Sequence, residues 1–133
     1  TIAKLRRTFG SIAKRTVKSR GILGRITHNA GLIETGSIER LGDTETQSAS
    51  VLGKIEKELA ASGLTMADVV KMNVFMVGDP AKGGGMDFGG LMKAYSRYFG
   101  AASQGNLPAR TTVQVVALPV PGALVEIEVV AAR

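Results

Sequence analysis

The spacing of hydrophobic positions changes several times along this chain, and each change marks an element. Val51, Leu52, Ile55 and Leu59 recur at helical spacing. Ahead of them, Thr44-Glu45-Thr46-Gln47 has the form of a capping box, in which side chains at the two ends satisfy free backbone amides. Gly63 supplies a left-handed stop, so an amphipathic helix of about 16 residues is predicted. Residues 68–77 (DVVKMNVFMV) carry apolar side chains on both faces, as a buried strand does. Gly78-Asp79-Pro80 ends that strand, and Gly83-Gly84-Gly85 extends the loop. Helical spacing returns with Phe88, Leu91, Met92, Tyr95 and Phe99, followed by Gly100, and predicts a helix whose stripe faces the core. Two more strands follow, at about 111–118 and 124–131, joined by Pro119-Val120-Pro121-Gly122.

The order helix, strand, helix, strand, strand predicts an α+β domain, a mixed sheet with two helices against one face. A chain of 133 residues suits a single domain with one core. The N-terminal third is harder to read: Ile22-Leu23 and Ile26-Thr27 suggest a short hairpin, but alternation is poor and glycines intrude. The last two strands are apolar on both sides, with Val113, Val115 and Ala117 on one and Val116 and Leu118 on the other. Two helices cover one face only, so burial predicts that a second subunit covers the other.

Composition removes several kinds of chemistry. There is no cysteine, hence no disulfide and no thiolate site. The single histidine, His28, lies beside Asn29 with no nucleophile elbow anywhere, so neither a zinc site nor a Ser-His-Asp triad is expected. No apolar run is long enough to span a bilayer, and no membrane partner is expected. The net charge of +6 is unevenly placed: residues 1–33 hold eight Lys/Arg and no acid, whereas 34–133 hold nine Lys/Arg against eleven Asp/Glu. The basic segment can be read as a mitochondrial-type targeting sequence, a phosphate-binding arm or a solvated strand pair. A cytoplasmic protein is the expectation, with a mitochondrial or exported form left open.

Against that background, charges inside apolar strands stand out, because burying them is costly unless they are paired or used. Alternation puts Arg110, Thr112 and Gln114 on one face of their strand, and Glu126, Glu128 and Val130 together on theirs. A guanidinium grips a carboxylate with two parallel hydrogen bonds, and a glutamate can orient or deprotonate water. A simple hairpin turning near Pro121 would pair Glu126 near Val116 and leave Arg110 roughly 20 Å away. Either these strands are not hairpin partners, or one subunit's arginine meets another subunit's glutamate. A plain structural ion pair across that interface is the alternative.

Pro108-Ala109-Arg110-Thr111-Thr112-Val113, then Leu118-Pro119 and Val125-Glu126-Ile127-Glu128, resembles the signature of the RidA (reactive intermediate deaminase) family. Gly42-Asp43-Thr44-Glu45-Thr46-Gln47, Ser62-Gly63-Leu64-Thr65, Asp68-Val69-Val70-Lys71-Met72 and Tyr98-Phe99-Gly100 add to the match, which covers about residues 36–133. The resemblance implies a chorismate-mutase-like fold, a homotrimer with clefts between subunits, and no cofactor. It implies hydrolysis of reactive enamines and imines, such as 2-aminoacrylate and 2-iminopropanoate, to a 2-oxo acid and ammonia. By the same resemblance Arg110 holds the substrate carboxylate, Glu126 positions the attacking water, and Thr112 and Gly31 line the pocket. Glu128 is then the structural partner. Where the family has a Ser-Gly pair, this chain has Ala30-Gly31, so one pocket hydroxyl is missing.

The leading expectation is therefore an imine/enamine deaminase, and the second a trimer that binds a small carboxylic acid such as a 2-oxo acid without turning it over. Nucleic-acid binding through the basic arm is a third. It is not favoured, because the chain lacks RNP-like aromatics and helix-turn-helix punctuation.

Overall fold

The computed structural model describes residues 42–100 and 104–132. The suggested hairpin at 22–27, the basic segment, Ala30 and Gly31 lie outside the described residues.

The first helix, α1 (Thr44–Ala61), starts one residue earlier in its capping than the sequence pattern implies. Asp43 is the N-cap, its Oδ1 accepting from the Thr46 amide at 2.9 Å. Gln47 does not close a capping box. Its amide donates to the carbonyls of Gly42 and Gly122 and accepts from the Leu124 amide at 2.8 Å. A side chain this deeply buried needs all its partners, and backbone groups supply them, one from the chain just before the helix and two from the distant loop. Thr44 and Ser48 are buried one turn apart, with hydroxyls lacking a hydrogen-bond partner among the described residues. Gly63 takes φ +72° as expected, and Leu64 bonds back to Leu59 across the helix end.

Strand β1 (Val69–Val77) is central. Strand β2 (Ala109–Val115) runs parallel to it on one side, and β3 (Val125–Ala131) antiparallel on the other. The last two strands are thus not hairpin partners, which settles that geometric question. Residues 116–124 leave the sheet to cross from one flank of β1 to the other, and so β2 ends at Val115 rather than at 118. Val116, beyond its end, is fully exposed.

Helix α2 (Phe88–Tyr95) connects the parallel pair β1 and β2, as such pairs require. It is shorter than the apolar stripe, because beyond Tyr95 the chain tightens: the amides of Arg97 and Tyr98 bond three residues back, and Gly100 adopts φ +97°. Phe99 nonetheless remains in the core, its ring stacked on Tyr95 at 4.9 Å.

Alternation sorts the sheet. Val69, Met72, Val74 and Met76 of β1, with Val125, Ile127, Val129 and Ala131 of β3, face the helices and pack with Val51, Leu52, Ile55, Leu59, Leu91 and Ala94. The result is the expected α+β architecture, a mixed sheet with two helices on one face. The opposite face carries Asn73, Phe75 and Val77 of β1 alongside Val113 and Val115 of β2, none fully buried. No described element packs over it.

Candidate active site

Arg110 and Thr112 pair with Met72 and Val74, so both side chains stand on the helix-covered face of β2, an edge strand among the described residues. There the guanidinium meets α2. Its Cζ lies 4.4 Å from the Tyr95 ring centroid and 5.6 Å from that of Phe88. Its Nη1 donates to the Met92 sulfur at 3.2 Å. No carboxylate pairs with it among the described residues. The side chain is half-buried, and its charge is faced by π-clouds and a thioether, neither of which neutralises it. Burial raises the Tyr95 phenol above its usual range, and the nearby guanidinium only partly offsets this. The Thr112 hydroxyl, next on the same face, is buried without a hydrogen-bond partner among the described residues.

The spacing of Phe88, Leu91, Met92, Tyr95 and Phe99 predicts a stripe that faces the core. That holds for Leu91, Tyr95 and Phe99, but Phe88 is 42% exposed and Met92 is only partly buried. Phe88, Met92 and Tyr95 recur at i, i+4 and i+7, which is the signal that they share a helix face. What spacing could not show is that β2 brings its arginine onto that face.

The loop between β1 and α2 is firmly held. Asp79 is buried, and its Oδ1 accepts from the Ala81 amide at 2.9 Å. Gln114, on the arginine's face of β2, accepts from the Met86 amide at 3.1 Å. Gly78 lies against this loop so closely that a Cβ there would sit 2.0 Å from the Gly84 carbonyl oxygen. Asp87 caps α2 through the Gly90 amide and pairs with Lys82 at 3.1 Å, and these two contacts hold its carboxyl below the ordinary range. Glu45 of α1 reaches Lys93 and Arg97 at the other end of α2.

Glu126 and Glu128 pair with Phe75 and Asn73 and lie on the open face. Glu128 is engaged, accepting from the Asn73 amide nitrogen at 3.1 Å. Arg110 and Glu126 are therefore on opposite faces of one sheet. Strand spacing and rise put their backbones roughly 14 Å apart as well. Within one protomer they do not line a common pocket, and within the described residues the arginine is assembled with α2 alone.

Comparison with known proteins agrees with this architecture. Residues 13–133 match the family described as Endoribonuclease L-PSP, a match that begins inside the basic N-terminal segment. Protein DfrA of Myxococcus xanthus is 37% identical over 111 residues, covering 81% of this chain and 76% of its own. The 2-iminobutanoate/2-iminopropanoate deaminase of Rattus norvegicus is 34% identical over 122 residues, covering 92% of this chain and 76% of its own. The crystal structure of Escherichia coli TdcF with bound serine superposes with a TM-score of 0.58 at 32% identity, covering 69% of this chain and 67% of that one. The chain belongs to the endoribonuclease L-PSP family, the family of the RidA reactive intermediate deaminases.

Proposed function

We propose that this protein hydrolyses reactive 2-imino and enamine acids, such as 2-aminoacrylate and its 2-iminopropanoate tautomer, to the 2-oxo acid and ammonia. One observation carries the reading: Arg110 is held in a fixed place with no anion of the protein's own beside it among the described residues. A half-buried cation so arranged is suited to a ligand carboxylate. The deaminase name of the rat relative supports the choice of substrate.

The chemistry asks little of the protein. Arg110 takes the carboxylate and fixes the imine carbon two bonds away. Water adds to that carbon, its proton passing to the Glu126 carboxylate and its oxygen bonding to carbon as the C=N electrons move to nitrogen. Glu126 returns that proton to nitrogen, giving a neutral carbinolamine; its hydroxyl proton then passes to the amine as the C–N bond breaks, so ammonia leaves and a C=O bond takes its place. Holding water and imine in contact supplies much of the acceleration, and a carboxylate base adds to it. Thr112 lines the pocket beside Arg110; Ala30 and Gly31, assigned to the same pocket by resemblance alone, lie outside the described residues.

Because Arg110 and Glu126 occupy opposite faces of one sheet, they meet only across a boundary between subunits, with one giving the grip and its neighbour the base. A homotrimer with three such boundaries fits the open apolar face and the family. The test is ammonia and 2-oxo acid release from freshly generated 2-aminoacrylate, with Arg110→Ala as the control. A fully active Arg110→Ala trimer sinks the assignment.

A second reading has its own support: a relative of this fold is found with bound serine, and within one protomer Glu126 lies on the opposite face of the sheet from Arg110. In that reading the trimer binds a small carboxylic acid and does not convert it. Saturable, Arg110-dependent binding of a 2-oxo acid with no rate acceleration selects it over hydrolysis.

A further inference from the structure

We infer that Tyr95 and Met92 are positioning residues for Arg110, and that α2 aims the guanidinium before a ligand arrives. The inference rests on the reading of Arg110 as the carboxylate-binding residue, and it concerns how that residue is prepared.

A free arginine side chain samples many rotamers, and a ligand that must freeze it loses affinity. Here the ordering is built in. The Tyr95 ring lies 4.4 Å from Cζ and gives the guanidinium a face to rest on. The Phe88 ring stands further off at 5.6 Å, and the Met92 sulfur takes one Nη1 hydrogen at 3.2 Å. Tyr95 is itself immobilised, buried and stacked on Phe99 at 4.9 Å.

The chemical type of these partners matters more than their number. A protein carboxylate in the place of Met92 would orient the arginine more strongly, but it would cancel the charge and compete with the ligand. A thioether is a weak acceptor and a π-face attracts a cation without neutralising it. Both orient the group and leave its remaining N–H donors and its full charge available for a two-pronged grip.

The test compares KM and kcat for ammonia release from 2-iminopropanoate generated in situ, on trimers matched by sizing and thermal melts. Tyr95→Leu is expected to raise KM about tenfold with kcat little changed, the size of a partly desolvated cation–π contact. Tyr95→Phe keeps the ring and is expected to restore KM to within about twofold. Met92→Leu preserves volume and removes the acceptor, and about a threefold rise in KM is expected. Should Tyr95→Leu not fold, Met92→Leu carries the test alone.

Wild-type KM in the folded Leu variants, beside an inactive Arg110→Ala, overturns the inference and leaves the function standing. A fall in kcat at constant KM also overturns it, since that would be a role in the chemical step. Full activity in Arg110→Ala removes the underlying reading and this inference with it.

Discussion

Arg110 and Glu126 stand on opposite faces of the same sheet, one paired with Met72 and the other with Phe75. A deaminase that needs both must draw them from different subunits, which makes complementation possible. Arg110→Ala and Glu126→Gln proteins should each be inactive as pure trimers. Co-assembled in equal amounts, about a quarter of the interfaces in a cyclic trimer pair an intact arginine with an intact glutamate. Recovered activity near that fraction is expected in the deaminase assay, whereas none at all would place both residues in one protomer's site.

Replacing Arg110 by lysine should not rescue function. A lysine retains the charge but loses the planar fork and cannot rest on Tyr95 in the same way. A fall of about a hundredfold in kcat/KM is expected, corresponding to about 2.7 kcal/mol of lost transition-state binding. Circular dichroism should show an unchanged fold.

Gly78→Ala tests the loop that leads into α2. The added methyl would lie 2.0 Å from the Gly84 carbonyl oxygen, a backbone atom that cannot swing aside. A destabilisation of about 1–3 kcal/mol is expected from overpacking of this kind, read as a lower urea midpoint at constant slope. Unchanged stability would mean that the loop does not sit where Gln114 and Asp79 hold it.

Gln47→Ala should cost about 2–3 kcal/mol, because it leaves the Leu124 amide and the Gly122 carbonyl without their partner. The nearby Ser48→Ala is expected to be neutral or slightly stabilising, since its buried hydroxyl has no partner among the described residues. Thermal melts of the two variants should move in clearly different ways.

Acid should weaken the fold in part through the two helix caps. The carboxyl of Asp43 is held below its ordinary value first by the Thr46 amide, and that of Asp87 first by the Gly90 amide and then by Lys82. For both groups the folded pKa is the lower, so the unfolded chain binds protons first as the pH falls. Their stabilisation is complete above the unfolded value near 4 and is lost as the pH drops through the folded value. Asp43→Ala should therefore cost about 1 kcal/mol at pH 7 and progressively less below pH 4. A constant difference across that range would count against a charged cap.

Local features of the sequence were legible and long-range ones were not. Val51, Leu52, Ile55 and Leu59 announce α1 because helical spacing is written in neighbouring residues. The faces of Arg110, Thr112 and Gln114, and of Glu126 and Glu128, follow from alternation alone. The role of Gln47 was not legible because two of its three partners, Gly122 and Leu124, are far along the chain and invisible to a capping pattern. The flanking of β1 by β2 and β3 was beyond reach for the same reason: two strands joined by a short Pro-Gly segment look like a hairpin until the central strand is known. Phe88 and Met92 looked like core because a helix stripe does not reveal which strand lies beside it.

Strand β1, helix α2 and strand β2 are consecutive, and between them they hold the arginine and everything that aims it. The glutamate proposed as base arrives later, on β3, and in the proposed trimer it serves another copy. In that proposal grip and chemistry are separate inheritances: a substitution on β3 would abolish turnover and leave a competent receptor for small acids behind. A protein so built can pass between catalyst and sensor by a single change, without rebuilding the part that recognises its ligand.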